Sequence, residues 1–139
     1  MGSSNAAMRS PFSRHAIAVL FVCRANVCRS PMAEGLLRAE LKRLGLQRKV
    51  KVDSAGTHAG QPGRLADQRA VKVCLRAGVD IRRIRARQVR ENDFPRCDLI
   101  LALDKKNHDW LMEKAPADCA SKISRLGAWS GEEAWGDIP

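Results

Sequence analysis

The sequence predicts an α/β fold, a small three-layer sandwich around a central four-stranded parallel sheet. Two apolar runs carry this reading, Ala16 to Cys23 (AIAVLFVC) and Asp98 to Leu103 (DLILAL), each too short for a free-standing helix and rich in branched residues. A strand that is apolar along its whole length is buried on both faces, as in a parallel sheet with helices on either side. The third observation is order. Strand and helix patterns alternate along the chain, so the crossovers are right-handed and ligands belong outside the carboxyl ends of the strands.

Residues 1–14 are small, polar and Ser-rich, with Pro11 and no apolar period, and read as a flexible leader or an expression remnant. The folded domain is taken as residues 15–139. After the first strand, Ser30-Pro31 opens a helical pattern in which Leu37, Leu41 and Leu44 recur, with Ser30 as N-cap and Pro31 at the first helical position. Gly45 stops it. Val50 to Ser54 alternates as a second strand, Gly56 to Gly63 is a loop, and Asp67 to Ala77 is a second helix ended by Gly78. Asp98 to Leu103 is the third strand, Asp104 to Lys114 a helix ending before Pro116, and Ile123 to Leu126 a short last strand. The tail from Gly127 to Pro139 has no clear period.

With 139 residues the chain forms one domain, large enough to bury about two thirds of its unfolded surface without a staple. Lys and Arg number 25 against 15 Asp and Glu, a net charge of +10 that fits an acidic partner or plain solvated basic faces. Aromatic residues make up 4% and none interleave with the basic ones, which points away from nucleic acid. Arg82, Arg83, Arg85, Arg87 and Arg90 fall within nine residues and read as a solvated face. The five cysteines, at 23, 28, 74, 97 and 119, include no Cys-x-x-Cys pair and no histidine cluster beside them, so neither metal nor cofactor is expected. No secretory signal or membrane span is visible, and free thiols fit a cytoplasmic protein with no membrane partner.

The first strand ends in Cys23-Arg24-Ala25-Asn26-Val27-Cys28-Arg29-Ser30, so Cys-x5-Arg-Ser joins a buried strand to a helix start. Cys119 and Arg125 share the spacing but lack both flanking elements. A short loop in the first context turns its backbone N–H groups inward, and with the open donors of the first helical turn they form a nest for a tetrahedral dianion. Arg29 adds a two-pronged contact to phosphate oxygens. The same positive field favours the thiolate of Cys23, which can attack phosphorus. A thiol nucleophile in a phosphate-binding loop reads as a phosphatase working through phosphocysteine.

Val22-Cys23-x5-Arg29-Ser30-Pro31, with Asn26 and Cys28 in the loop and Ala33-Glu34 after it, resembles the low-molecular-weight protein tyrosine phosphatases. Asp53 to Thr57, Arg85 to Gln88, and Asp98 to Asp104 with Asn107 resemble further segments of that family, from about His15 to Pro139. The resemblance implies that Cys23 is the nucleophile, Arg29 the phosphate clamp and Ser30 a hydroxyl that supports the thiolate as it leaves. It implies that Arg24, Ala25, Asn26, Val27 and Cys28 wrap the phosphoryl group. Asn26 holds the loop in a left-handed conformation, with Ser54 as its hydrogen-bonding partner. Cys28 is the redox partner that traps an oxidised Cys23 as a disulfide, or else a small residue buried against the helix. The implied substrate is a phosphotyrosine protein or small aryl phosphate, with phosphate, sulfate or vanadate as site ligands.

The chain departs from that pattern in places. Ala25 stands where the family most often has glycine, Arg24 replaces an apolar residue, Gly60 falls near an aromatic position and Ile84 near a histidine. Asp137-Ile138-Pro139 resembles the residues just before the family's Asp-Pro-aromatic motif, whose aspartate protonates the leaving phenolate. That acid and the final helix are expected beyond Pro139; Asp137 stands three residues short of the acid. The alternatives are an arsenate reductase of the same fold, which needs two further neighbouring cysteines, and a phosphate-binding pseudoenzyme or interaction module. Losing a general acid costs about 10² to 10⁴ in rate, most for poor leaving groups. The expected outcome is that a C-terminally extended chain gains by about that factor on phosphotyrosine, and much less on an activated aryl phosphate, in parallel steady-state assays.

Overall fold

In the computed structural model, which describes residues 16–127, the four expected strands form one parallel sheet. The elements are β1 (Ile17–Cys23), α1 (Arg29–Arg43), β2 (Val50–Gly56), α2 (Gln68–Arg76), α3 (Asp93–Arg96), β3 (Leu99–Ala102), α4 (Lys105–Lys114), a 3-10 turn (Ala117–Lys122) and β4 (Ile123–Arg125). Strand order is β2-β1-β3-β4, so β1 is central and pairs in parallel with β2 from Ile17↔Val50 to Cys23↔Gly56. Only α3 and the 3-10 turn lacked a sequence signal. Four and six residues are too few for a period to show.

The apolar run of β1 is explained by its neighbours. Val19, Phe21 and Cys23 face α1 and meet Leu37, Leu41, Leu101 and Leu103. Leu20 and Val22 face the other way and meet Phe94, Ile100, Ala102 and Leu111. Both faces are therefore core, and the three layers are α1 with α2, the sheet, and α3 with α4. α2 reaches the molecule through α1: Ala70 and Cys74 pack with Val79 and Ile81 against Met32.

Asp67 and Asp104 cap α2 and α4, accepting from the N–H groups of Arg69 and Asn107 at 2.7 and 2.8 Å. Gly45 and Gly78 end α1 and α2 with φ of +73° and +77°, as the stop signals predict. The start of α1 differs from expectation. Cys28 holds the N-cap position with no side-chain cap bond, and Ser30 and Pro31 lie inside the first turn. Pro31 is tolerated there because first-turn N–H groups have no intrahelical acceptor.

The exposed edge of β2 is blunted locally. The Val52 carbonyl accepts from Arg38 Nη2 at 2.7 Å and the Ser54 N–H donates to Asp53 Oδ1 at 2.8 Å. No helix among the described residues is long and apolar enough to cross a membrane.

α1 sits close to the chain that follows α2 because Gly35 has no side chain; a Cβ there would lie 2.3 Å from Ile81 Cγ2, which is fully buried and has no room to yield. Helix propensity alone would make Gly35→Ala stabilising by about 1 kcal/mol. Overpacking opposes it, and the expected outcome is a net loss of about 1–2 kcal/mol in urea unfolding. A gain in stability would refute the close contact.

Candidate active site

The loop between β1 and α1 is held from three sides at the carboxyl end of the sheet. Thr57 and His58, just past β2, donate their N–H groups to the carbonyls of Cys23 and Arg24 at 2.9 and 2.8 Å. From beyond β3, Leu103 N–H reaches the Val22 carbonyl at 3.0 Å, and Asp67 N–H reaches the Val27 carbonyl at 2.6 Å. Gly56 allows the approach from β2, since a Cβ there would lie 2.6 Å from the Arg24 carbonyl oxygen. Gln88 clamps the supporting turn, donating to the Thr57 carbonyl at 2.6 Å and accepting from Ala59 N–H at 2.9 Å.

Inside the loop, Asn26 has φ of 60° and is 1% exposed. Its Oδ1 accepts from the Arg87 N–H at 2.9 Å, which can only donate and so fixes the amide orientation. The Asn26 Nδ2 therefore donates to Ser30 Oγ at 2.9 Å, and Ser30 Oγ and Cys23 Sγ share a hydrogen bond at 2.8 Å. Asn26 N–H donates to the sulfur at 3.3 Å. The buried sulfur thus has a backbone N–H and a hydroxyl as its hydrogen-bonding partners.

Two expectations are corrected. Ser54 is not the partner of Asn26: its hydroxyl donates to Glu34 Oε1 at 2.5 Å, because α1 puts Glu34 over β2 and leaves Asn26 to Ser30 and Arg87. The Ser30 hydroxyl is not a helix cap, because it is committed to the sulfur. Ala25 needs no relief either, since Asn26 alone among the described non-glycine residues has positive φ.

Arg29, the first residue of α1, places Nη2 3.2 Å from Asp104 Oδ2, just past the end of β3. Arg24 and Cys28 are exposed and Ala25 and Val27 half-buried, so Cys28 is not tucked against the helix. The Cys28 thiol is pushed above its ordinary value by burial, then by Asp67 and Cys23, with Arg29 pulling the other way. Gly60 has open space around it, and Ile84 packs against the α2 cluster. Asp137 lies outside the described residues.

The arginine cluster is solvated except at one member. Arg82, Arg83, Arg85 and Arg90 are exposed, but Arg87 turns inward. Its guanidinium makes paired contacts with Asp53 Oδ2 at 3.2 and 2.9 Å and with both oxygens of Asp93 at 2.9 and 3.0 Å. Burial opposes ionisation of Asp93, yet donors from Arg87, Arg90 N–H and Arg96 outweigh it and hold the carboxyl below its ordinary value. Glu34 goes the other way. Burial raises it further than Ser54 and Arg38 lower it.

Residues 18–139 match the family model described as low molecular weight phosphotyrosine protein phosphatase. The chain belongs to this family. It is 38% identical over 126 residues to the low molecular weight protein-tyrosine-phosphatase YfkJ of Bacillus subtilis, covering 88% of this chain and 79% of YfkJ. The crystal structure of YfkJ superposes with a TM-score of 0.86 at 36% identity, covering 90% of this chain and 79% of that one. Vibrio vulnificus Wzb in complex with benzylphosphonate gives 0.77 at 30% identity, over 90% and 81% of the two chains. The YwlE arginine phosphatase, a variant with a phosphorylated active-site serine, gives 0.76 at 27% identity, over 84% and 74%.

For a member of this family, the charged supports of the loop are the part that sequence reading left without roles. Glu34, Arg87 and Asp104 stood in resembling segments, but their partners, Ser54, Asn26 with Asp53 and Asp93, and Arg29, are 20, 61, 34, 6 and 75 positions away. Nothing local announces such pairs. Because the folded Asp93 pKa is depressed, its contribution to stability is full above the unfolded carboxylate pKa, about 4, and is lost as pH falls through the folded value. Asp93→Asn should cost about 3 kcal/mol near neutral pH. The gap between wild type and variant should close below about pH 4 in denaturant titrations.

Proposed function

We propose that this chain is a phosphotyrosine protein phosphatase that works through a phosphocysteine intermediate, with Cys23 as nucleophile, Arg29 as phosphate clamp and Ser30 as the hydroxyl that supports the sulfur. The observation that carries the reading is the hydrogen-bonded chain from Arg87 N–H through Asn26 and Ser30 to Cys23 Sγ, at the start of a helix that also carries Arg29. A hydroxyl placed at the sulfur can turn its proton toward a thiolate when one forms.

The Cys23 thiolate attacks phosphorus, the bond from phosphorus to the aryl oxygen breaks with its electron pair on that oxygen, the phosphoryl group passes to Cys23, and the aryl oxide leaves and takes its proton from water. Backbone N–H groups of the loop other than that of Asn26, and the Arg29 guanidinium, steadied by Asp104, receive the three equatorial oxygens. In the second step water attacks phosphorus and gives its proton to solvent, the bond from phosphorus to sulfur breaks, and Cys23 leaves as thiolate with inorganic phosphate released. The Ser30 proton then stabilises the departing thiolate. The named relatives support a phosphotyrosine substrate, and the complex of Wzb with benzylphosphonate supports a ligand that joins an aromatic ring to a phosphoryl-like group. The remaining thiols do not favour an arsenate-reductase relay. Cys74 lies in the α2 cluster, while Cys97 and Cys119 lie in the core on the opposite face of the sheet from Cys23. Burial pushes the Cys97 thiol up to about 11.

Turnover of an activated aryl phosphate, in the presence of a chelator, is expected to fall at least about a thousandfold in Cys23→Ser, and by about tenfold to a hundredfold in Ser30→Ala through a lower rate of phosphocysteine breakdown. Undiminished turnover by Cys23→Ser would sink the mechanism. Peroxide should oxidise Cys23 and Cys28 together to one disulfide, with release of water and recovery of activity under thiol, read by peptide mass spectrometry. Irreversible loss without that disulfide removes Cys28 from the role.

A further inference from the structure

A cleft of about 650 Å³ runs along the free edge of β2, lined by Arg38, Leu41, Lys42, Lys51, Val52 and Arg96 among others. It lies away from the phosphate loop. Asp53, the lining residue nearest the loop along the strand, lies three residues before Gly56, which pairs with Cys23, so about 10 Å of strand separates the cleft from the loop. Its volume is in the range that holds a small organic ligand.

Its cations come from both faces of the sheet. Arg38 and Lys42 belong to α1, Arg96 to α3 and Lys51 to the strand itself. Two are set in place by buried carboxylates. Arg38 Nη2 is 2.7 Å from Glu34 Oε2 and also bonds the Val52 carbonyl, and Arg96 Nη2 is 2.6 Å from Asp93 Oδ1; the two carboxylate side chains are 3% and 2% exposed. Lys42 and Lys51 form no ion pair among the described residues. Asp53, the one acidic residue of the lining, is already bound to Arg87 at 2.9 Å. Leu41 and Val52 supply an apolar floor, 7% and 6% exposed.

Two fixed guanidinium groups, two mobile ammonium groups and an apolar floor match a ligand with several phosphoryl groups on an apolar body. An added peptide strand fits less well, because the Val52 carbonyl and the Ser54 N–H are already bonded. Single-stranded nucleic acid fits less well too, because the lining holds no aromatic ring for a base to stack on. We propose that the cleft along the β2 edge binds a small organic polyphosphate, its phosphoryl groups against Arg38, Lys42, Lys51 and Arg96 and its apolar body on Leu41 and Val52. This site is separate from the phosphatase reading and does not depend on it.

The probe is ATP, titrated calorimetrically at about 0.15 M salt, where long-range attraction is screened beyond about 8 Å. The Cys23→Ser chain is used, so that no phosphoryl transfer to the thiol contributes heat. One ATP per chain is expected, with at least a tenfold loss of affinity in Lys42→Glu/Lys51→Glu. Both lysines are exposed and outside the loop, so the same pair in the Cys23 chain should leave aryl phosphate turnover and the melting temperature unchanged. Tripolyphosphate, which lacks the apolar body, and adenosine, which lacks the charge, should each bind at least tenfold more weakly than ATP. The proposal is overturned by absent or unsaturable binding, or by affinity lost in Arg29→Ala but kept in the lysine pair. It is equally overturned if tripolyphosphate matches ATP, or if an oligonucleotide or acidic peptide competes more tightly than ATP.

Discussion

The ion pairing of the half-buried Arg87 guanidinium with buried Asp93 is the interaction on which the loop end of this molecule depends. Arg87 satisfies Asp93, 2% exposed, and Asp53 together, and by doing so it fixes its own backbone beside the end of β2. That backbone then serves the loop twice. The Arg87 N–H orients Asn26, and the Arg87 carbonyl accepts from Gly56 N–H at 2.8 Å. A charge pair so far inside a protein is costly to desolvate, and its net contribution to stability is small when both partners are present. Its value lies in direction. With Asp93 and Asp53 both holding it, Arg87 has one place to go, and the loop inherits that place.

Directed hydrogen bonding explains how a loop made mostly of ordinary residues holds the Cys23 sulfur in one place. Asn26 takes the left-handed conformation, which asparagine tolerates better than most residues, and turns its side chain into the centre of the loop. The Arg87 N–H fixes the Asn26 amide, the amide in turn donates to Ser30, and the Ser30 hydroxyl is bonded to the Cys23 sulfur. Glu34 and Arg38 do similar work on the other face, where Ser54 and the Val52 carbonyl are taken up. The β2 edge is thus finished by side chains of one helix, α1.

How legible this was varied with the range of the interaction. The strands and main helices could be read because each is a local pattern: an apolar run, a spacing of leucines, an aspartate cap, a glycine stop. The pairing of Cys23 with Arg29 across one loop could be read because strand, loop and helix start are contiguous. The boundaries moved by a few residues at most, with β2 running on to Gly56 where the alternation stopped at Ser54. Ser54 bonds Glu34 and not Asn26, while Ser30 meets the Cys23 sulfur and does not cap its helix, since a hydroxyl has several possible partners and sequence does not rank them. Arg87 looked like its exposed neighbours because nothing in a run of arginines marks the one that turns inward.

By itself, then, the sequence determined an α/β sandwich, a β1 buried on both faces, and a Cys23-to-Arg29 loop that joins β1 to a helix start. These follow from periods of two and 3.6 residues and from caps, which act over a few positions. Only the tertiary structure decided who holds the loop: Arg87 on Asn26, Asp104 on Arg29, Glu34 on Ser54, and Gly56 against Arg24. The physical reason is that a buried polar group must find a partner wherever the fold brings one, and the fold brings these from up to 75 positions away.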